Sequence, residues 1–470
     1  MIDFAHLRRY RENNRIEAKR ATGGLPESIW ETYSAFANTM GGVILLGVVE
    51  KKDKSFEAVD LPDPDGLASE FWKLVNDTRK ASVNILTRRD IAVRRAEGRR
   101  IVAITVPRAD RRDRPVYVNG DPYMGTYRRD GEGDYHCSRE TVQAMMMDAL
   151  EESRDARLLS YLGMESLEER TVKSYRSLMQ YLRPGHPWES LPDEEFLCRI
   201  EAARETGDGT YHPTAAGLLM FGKEEHILLE FPEYSLTCQE AKVSGGNLFT
   251  FYYRVWRKLT ELPGMRKERA DEEMTMERAL RDALANCLIN CDYRERGGIK
   301  ICISPGQIIM ANPGSFCMDV DRAKAGGSSD PRNAGLNRMF RLIQVSEGLG
   351  AGLARIYSVW QRLGLPEPVI EEQFLPDRII LYLPLETSCL PAVKPVEGNI
   401  SLRNIFGEKR LQMQTIIEEA TRNISVTKQQ LSLLPELESC DLSGLLEEMC
   451  REGILTRNRQ DGEIMYSLRA

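Results

Sequence analysis

The apolar run Val43-Ile44-Leu45-Leu46-Gly47-Val48-Val49, entered straight from Gly41-Gly42, most narrows what this chain can become. It has no charge and is rich in β-branched residues, so it reads as a buried strand covered on both faces. Just before it, Ile29, Trp30, Tyr33, Phe36 and Ala37 recur at helical spacing after Pro26, which predicts a helix over 27–40 ended by the glycine pair. A helix feeding directly into a buried strand calls for an α+β core. Residues 66–80 read as a second helix and Arg99–Pro107 as an alternating strand. Residues 115–120 and 125–131 read as strands joined by a Gly-Asp-Pro turn, and a helix near 139–153 closes the domain.

A charged linker (151–170) leads into a region whose landmark is Pro213-Thr214-Ala215-Ala216-Gly217-Leu218-Leu219-Met220-Phe221-Gly222, a small-residue helix running into an apolar stretch. Residues 271–293 form an amphipathic helix, with Leu280, Leu284 and Leu288 on its apolar side. Residues 300–314 read as strand, Pro305-Gly306 turn and strand. A helix follows near 336–346, Gly348 to Gly352 opens another, and Arg378–Leu385 is a closing strand. Pro391, Pro395 and Gly398 mark a linker. The tail, 405–470, has three helical patterns and two strands about a Gln-Asp-Gly-Glu turn, the element order of a winged helix. Its third helix, near 438–451, is acidic, so DNA phosphates would repel it and a protein partner or a second copy fits it better.

The chain has no run of 18 apolar residues, and its ten cysteines form no CxxC pair. Free thiols in a reducing cytoplasm, and no membrane span, are expected. Net charge is −7, which argues against indiscriminate nucleic-acid binding. The distribution is uneven: residues 1–135 hold 24 Lys/Arg against 21 Asp/Glu. Arg88, Arg89, Arg111, Arg112, Arg114, Arg128 and Arg129, with Tyr127 beside the last two, are candidate contacts to phosphates and bases.

Chemistry concentrates in two places. Glu12, Glu17, Lys19 and Glu50 place three carboxylates and an ammonium around the first helix and strand. Glu17 and Lys19 point to one side of an extended segment. Carboxylates are hard ligands that suit Mg²⁺ or Mn²⁺, and such an ion could activate a water while Lys19 offsets charge on a phosphate. Further on, Asp282, Asn286 and Asn290 recur every four residues, so one polar stripe crosses an otherwise apolar helix and needs hydrogen-bonding company. Gly348, Gly350 and Gly352 form a glycine-rich turn before a helix, a ready anion site.

Glu12-x-x-x-x-Glu17-x-Lys19, then Ala35-Phe36-Ala37-Asn38-Thr39-Met40-Gly41-Gly42, then the Gly47-Val48 strand ending at Glu50, resemble the Schlafen AlbA-type domain. In eukaryotic Schlafen proteins the matching glutamates and a downstream acid form a metal-dependent RNA-cleaving site, whereas many bacterial relatives are described as DNA-binding regulators. The resemblance therefore implies Glu12, Glu17 and Glu50 as metal ligands and these three with Lys19 as catalytic residues, with Asp53 the alternative to Glu50 as the downstream acid. Residues 277–293 resemble the N-box helix of the GHKL ATP-binding fold. Asn312-Pro313-Gly314, Pro331-Arg332-Asn333 and Glu347-Gly348-Leu349-Gly350-Ala351-Gly352 match its later segments in order. The resemblance implies nucleotide contacts at Asp282, Asn286, Asn290, Asn312, Gly314, Arg332, Gly348, Gly350 and Gly352, with Asn286 helping to hold Mg²⁺ with ATP. The usual glutamate is Asp282, the usual histidine is Asn290 and the usual arginine is Cys291, so binding of ATP is expected rather than its hydrolysis.

The expected architecture is α+β multidomain: a Schlafen AlbA-type nucleic-acid-binding domain (1–153), a helical connector (154–265), a GHKL-like α/β sandwich (266–390) and a winged-helix tail (400–470). This is the order found in bacterial proteins labelled transcriptional regulators or helicase-like, though no GxxxxGK[ST] motif is present. The expected function is nucleotide-responsive binding of RNA (including tRNA) or DNA, with or without metal-dependent cleavage, in stress response or defence. The alternative is a non-catalytic ATP-sensing regulator or signalling scaffold.

Overall fold

The structure is a computed structural model that describes residues 2–150, 153–262, 275–304, 306–327, 329–347, 350–374 and 376–385, and in the tail 416, 426–432, 437, 441–451, 455–460 and 463–468. The chain divides into two units, Met1–Lys394 and Pro395–Ala470.

The first unit begins with strand β1 (Ile16–Lys19), helix α1 (Ile29–Asn38) and strands β2 (Gly42–Leu46), β3 (Val48–Glu50) and β4 (Phe56–Ala58). Helix α2 (Pro64–Val75) and strands β5 (Ile91–Ala96) and β6 (Arg99–Val106) follow. Then come the short helix α3 (Pro122–Gly125), the hairpin β7 (Tyr127–Asp130) and β8 (Gly133–His136), and helix α4 (Arg139–Asp148). The sheet runs β1-β2-β6-β5, with β1 parallel to β2 and the other pairs antiparallel. Every residue of α1 except Glu31 is buried, because the helix packs between that sheet and the β7–β8 hairpin. Each large apolar side chain so buried contributes about 1.5–3 kcal/mol.

The apolar run at 43–49 is not one strand. Gly47 sits at φ +84°, where a Cβ would lie 2.8 Å from Leu61, and the chain turns there from β2 into the β3–β4 hairpin. Only glycine takes that bend without strain. Gly41 does end α1, at φ +69°, with its Cα hydrogens against the Val106 carbonyl. Residues 115–120 form isolated bridges, Ala81 with Val118 and Tyr117 with Thr126, rather than the expected strand. The Gly-Asp-Pro turn instead caps α3, with Asp121 accepting from the Tyr123 and Met124 amides.

Beyond α4 lie helices α5 (Glu169–Leu182) and α6 (Asp193–Arg199) and strands β9 (Ala203–Glu205) and β10 (Tyr211–Pro213). Helices α7 (Ala215–Phe221) and α8 (Glu224–Glu230), strands β11 (Leu236–Cys238) and β12 (Val243–Ser244) and helix α9 (Leu248–Leu259) follow. Helix α10 (Met276–Ile289), strands β13 (Ile299–Ile303) and β14 (Gln307–Pro313), and helices α11 (Val320–Ala325), α12 (Ala334–Leu342) and α13 (Gly352–Arg362) lead to strands β15 (Val369–Gln373) and β16 (Arg378–Pro384). The second sheet runs β12-β11-β13-β14-β16-β15. Residues 154–265, read as a helical connector, thus supply two strands to it, and one core runs from Leu159 through Phe251 and Leu284 to Leu383. The two-to-three-residue lengths of β11 and β12 explain why no alternation marks them in the sequence.

In the second unit, β17 (Val426–Thr427), β18 (Leu455–Gln460) and β19 (Glu463–Leu468) form a sheet in the order β17-β19-β18. Helix Leu442–Arg451 contributes Leu442, Leu445, Leu446 and Met449 to a small core. The hairpin expected about Gln460–Glu463 is present. The first of the three helical patterns lies largely outside the described residues, so the expected winged-helix tail is not carried by the structure.

Candidate nucleic-acid and nucleotide sites

The alternation of β1 puts Glu17 and Lys19 on one side, and Lys19 Nζ donates to Glu17 Oε1 at 2.9 Å. Glu17 Oε2 accepts from Arg129 Nη2 at 2.8 Å. Glu12 folds back along the strand, and its Oε1 accepts from the Ala18 amide at 3.1 Å. Burial, then the charge of Glu17 and more weakly that of Glu50, push the Glu12 carboxyl above its usual range. The charges of Glu17 and Glu50 thus both reach Glu12. Glu50 ends β3, and its Oε2 lies 3.5 Å from Lys54 Nζ while its Oε1 is buried with no hydrogen-bond partner.

Among the described residues no group of three acidic, histidine or cysteine side chains is placed to hold a metal ion. The reason is visible at Glu17, whose two oxygens already face Lys19 and Arg129. Two side-chain cations offset the acids where a divalent ion was expected, so the residues present do not fit a resident Mg²⁺ or Mn²⁺.

Neighbouring residues on a strand point to opposite faces, and β7 shows the consequence. Arg129 turns inward, pairing with Glu17 and with Asp134 Oδ1 at 2.9 Å and lying 5.3 Å from the Phe36 ring centroid. Arg128 turns the other way, to Asp377 at 2.5 and 2.9 Å. Both are buried, as is Tyr127, whose ring centroid lies 4.2 Å from that of His136 at a tilt of 33°. Arg111 donates to Asp330 at 2.7 Å, and Arg114 to the carbonyls of Phe316 and Cys317 at 3.0 and 2.9 Å. Burial, then the like charge of Arg108, pushes the Arg114 guanidinium down to about 10. The expectation that Arg111, Arg114, Tyr127, Arg128 and Arg129 contact nucleic acid is therefore corrected: four guanidinium groups and one ring are spent inside the protein. Arg88, Arg89 and Arg112 are exposed, with Arg88 lying 5.1 Å from the Trp72 ring centroid, and Arg94 and Arg95 on edge strand β5 are exposed too.

The second constellation lines a cavity of about 160 Å³ between α10, α13 and the second sheet. Asp282, Asn286, Asn290, Asn312, Gly350 and Gly352 all border it, over a floor that includes Met310, Ile356, Ile379 and Leu381. The N-terminal turn of α13 faces α10, and a Cβ at Gly352 would lie 3.2 Å from Asn286 Nδ2. Asp282 is paired with Arg355 Nη1 at 2.9 Å, yet burial outweighs that cation and raises its carboxyl to about 6. Glu347 in turn accepts from Arg355 and Arg278. Arg332 stands apart from the cavity: it is buried and bonds Asp148 at 2.6 Å and the Ser315 carbonyl at 2.8 Å. Gly314 packs beside it, and Gly348 lies outside the described residues.

Sequence reasoning missed the joint between these regions. Arg108 pairs with Glu372 at 2.6 and 2.8 Å, both side chains 1% exposed, and also donates to the Phe316 carbonyl at 2.8 Å. Ser315, Phe316, Cys317 and Asp330, which receive these arginines and Arg332, also line the cavity. No sequence signal pairs Arg108 with an acid 264 positions away.

Residues 12–138 match the family described as Schlafen, AlbA_2, residues 143–237 a domain of unknown function, DUF8451, and residues 297–381 the family described as recG C-terminal, HATPase_c_4. None of the curated proteins matches the chain. Among solved structures, the DIP2311 protein from Corynebacterium diphtheriae aligns at 16% identity and TM-score 0.37, covering 97% of this chain and 92% of its own. The N-terminal domain of a RecG-related protein from Nitrosomonas europaea aligns at 31% identity and TM-score 0.23, covering 29% of this chain and 94% of its own. The chain is an α+β multidomain protein that carries a Schlafen AlbA_2 domain at its N-terminal end and a recG C-terminal HATPase_c_4 domain further on.

Proposed function

We propose that this is a nucleotide-responsive nucleic-acid-binding protein, in which the AlbA_2 domain holds RNA or DNA and the cavity at α10 and α13 holds ATP. The observation that carries the reading is the shared lip: the same residues line the cavity and hold the arginines of the first domain. A triphosphate at the N-terminus of α13 meets a favourable dipole, and the polar stripe of α10 supplies hydrogen bonds. Asp282, held by Arg355, is poorly placed to activate a water, so occupancy rather than turnover is the signal. Phosphates would meet the exposed edge formed by Arg88, Arg89, Arg94 and Arg95, where counterion release drives binding.

The test is anisotropy of labelled tRNA and DNA with the full chain, with and without ATP or a non-hydrolysable analogue. Binding that weakens with salt, shifts with nucleotide and falls in an Arg88→Gln/Arg89→Gln variant supports the reading. An affinity indifferent to saturating nucleotide overturns the responsive part. The unpartnered Oε1 of Glu50 beside Glu12 favours a second reading, in which these carboxylates act on the bound strand. Cleavage products that disappear in Glu50→Gln would establish it, and intact substrate throughout would remove it.

A further inference from the structure

A second basic surface lies outside both the AlbA_2 and the HATPase_c_4 matches. Helices α5 and α9 and the β11–β12 turn enclose a groove of about 720 Å³. Arg170 enters it from α5, Lys242 from the turn, and Arg254 and Arg257 from one side of α9. All four are exposed, and none has an ion-pair partner among the described residues.

The acids at the same groove are engaged. Glu168 accepts from Asn247 Nδ2 at 3.0 Å, Glu261 pairs with Lys258 at 2.8 Å, and Glu240 lies against the thiols of Cys238 and Cys302 at 3.8 and 3.6 Å. Five cations, counting Lys258, line the groove against three carboxylates, Glu168, Glu240 and Glu261, so in a chain of net charge −7 this concavity carries a local excess of positive charge. The groove also has an aromatic element, Tyr253, half-buried and packed 4.9 Å from the Phe249 ring centroid. A smaller concavity along α5 shares Arg170 and Ser174 with it and adds the ion pair of Lys173 with Glu169.

We propose that this groove binds a single-stranded nucleic-acid segment. Charge complementarity selects a phosphate polymer, and an aromatic ring beside a row of cations is how sequence-tolerant single-strand tracks are built. The half-buried Tyr253 ring favours a single strand, whose unpaired bases can stack on it, over a duplex, whose bases are already stacked on one another. The inference does not depend on the arginines at β5.

The experiment is anisotropy of a labelled oligothymidylate of about twenty nucleotides with the full chain, at salt between about 50 and 200 mM. The variant Arg170→Gln/Arg254→Gln/Arg257→Gln changes only exposed side chains, and its melting profile checks folding. Three lost phosphate contacts, at about 0.7 each for single strands, lower the log–log salt slope by about 2 and weaken binding by about tenfold or more. Tyr253→Leu then weakens binding with the slope unchanged. An unaltered slope and affinity in the triple variant, with loss in Arg88→Gln/Arg89→Gln, overturns the groove and leaves the first domain as the binding site. No binding by the wild-type chain overturns both. A duplex that binds as well as the single strand and loses as much in the triple variant overturns the single-strand assignment.

Discussion

Replacing Arg108 with methionine tests the joint between the two sheets. The guanidinium lies 2.6 and 2.8 Å from the Glu372 oxygens, and both side chains are 1% exposed. Methionine fills much of the same volume and carries no charge. The Phe316 carbonyl that Arg108 also serves keeps a donor, because Arg114 Nη2 lies 3.0 Å away. The loss therefore concentrates on Glu372, which retains the Phe316 amide at 2.8 Å and is otherwise a buried anion without its cation. Removing one partner of such a pair costs about 3–5 kcal/mol. Urea unfolding of the full chain should show a midpoint lowered accordingly, with faster amide exchange at 105–116 and 312–318. Adding Glu372→Leu removes the orphaned charge and should restore all but about 1–2 kcal/mol. A single variant within about 0.5 kcal/mol of wild type, or a double variant no better than the single, would refute the argument.

Three further outcomes follow from the same geometry. Asp282 titrates near 6 when folded against 3.8 ordinarily, so the folded state holds the proton more tightly between those values, and this residue's contribution to stability falls as pH rises from about 4 to 6. Asp282→Asn should flatten that decline in a pH series of urea midpoints, and an unchanged profile refutes the assignment. Asn38 bonds the Val116 amide and carbonyl at 2.8 and 2.7 Å and the Tyr127 carbonyl at 3.1 Å, so Asn38→Leu should cost about 2–4 kcal/mol in the same assay. Gly352→Val pushes methyl groups toward Asn286 and Asp282 and should weaken ATP binding by about tenfold or more in calorimetry, with the melting profile little changed.

What the sequence made legible is what period and punctuation encode. The spacing of Trp30, Tyr33 and Phe36 marks α1, and the alternation of Arg99–Val106 marks β6. The polar stripe Asp282, Asn286, Asn290 and the glycines at 350 and 352 do border one cavity, because both patterns are local to a helix or its entrance. What was not legible is which arginines face water. Arg88 and Arg114 look alike in a single chain; only the fold sets one in solvent and the other against the Phe316 and Cys317 carbonyls. Glu17 and Lys19 share a side of β1 as strand alternation requires, whereas Glu50 ends a separate strand, β3, that the single apolar run 43–49 did not announce. Arg129 and Lys54, the companions of Glu17 and Glu50, depended on which way β7 and the β3–β4 turn point, and the sequence does not state that.

The parallel pairing of β11 with β13 has a practical consequence for anyone who wants to dissect this protein. A fragment beginning at residue 297, where the last family match starts, would leave behind α10 and the strand that zips along Ile299–Ile301. Its sheet would present an open hydrogen-bonding rim and a bare oily face, the two ingredients of self-association. Truncations intended to isolate the ATP-type module should keep everything from about Leu159 onward, the point at which its shared interior begins.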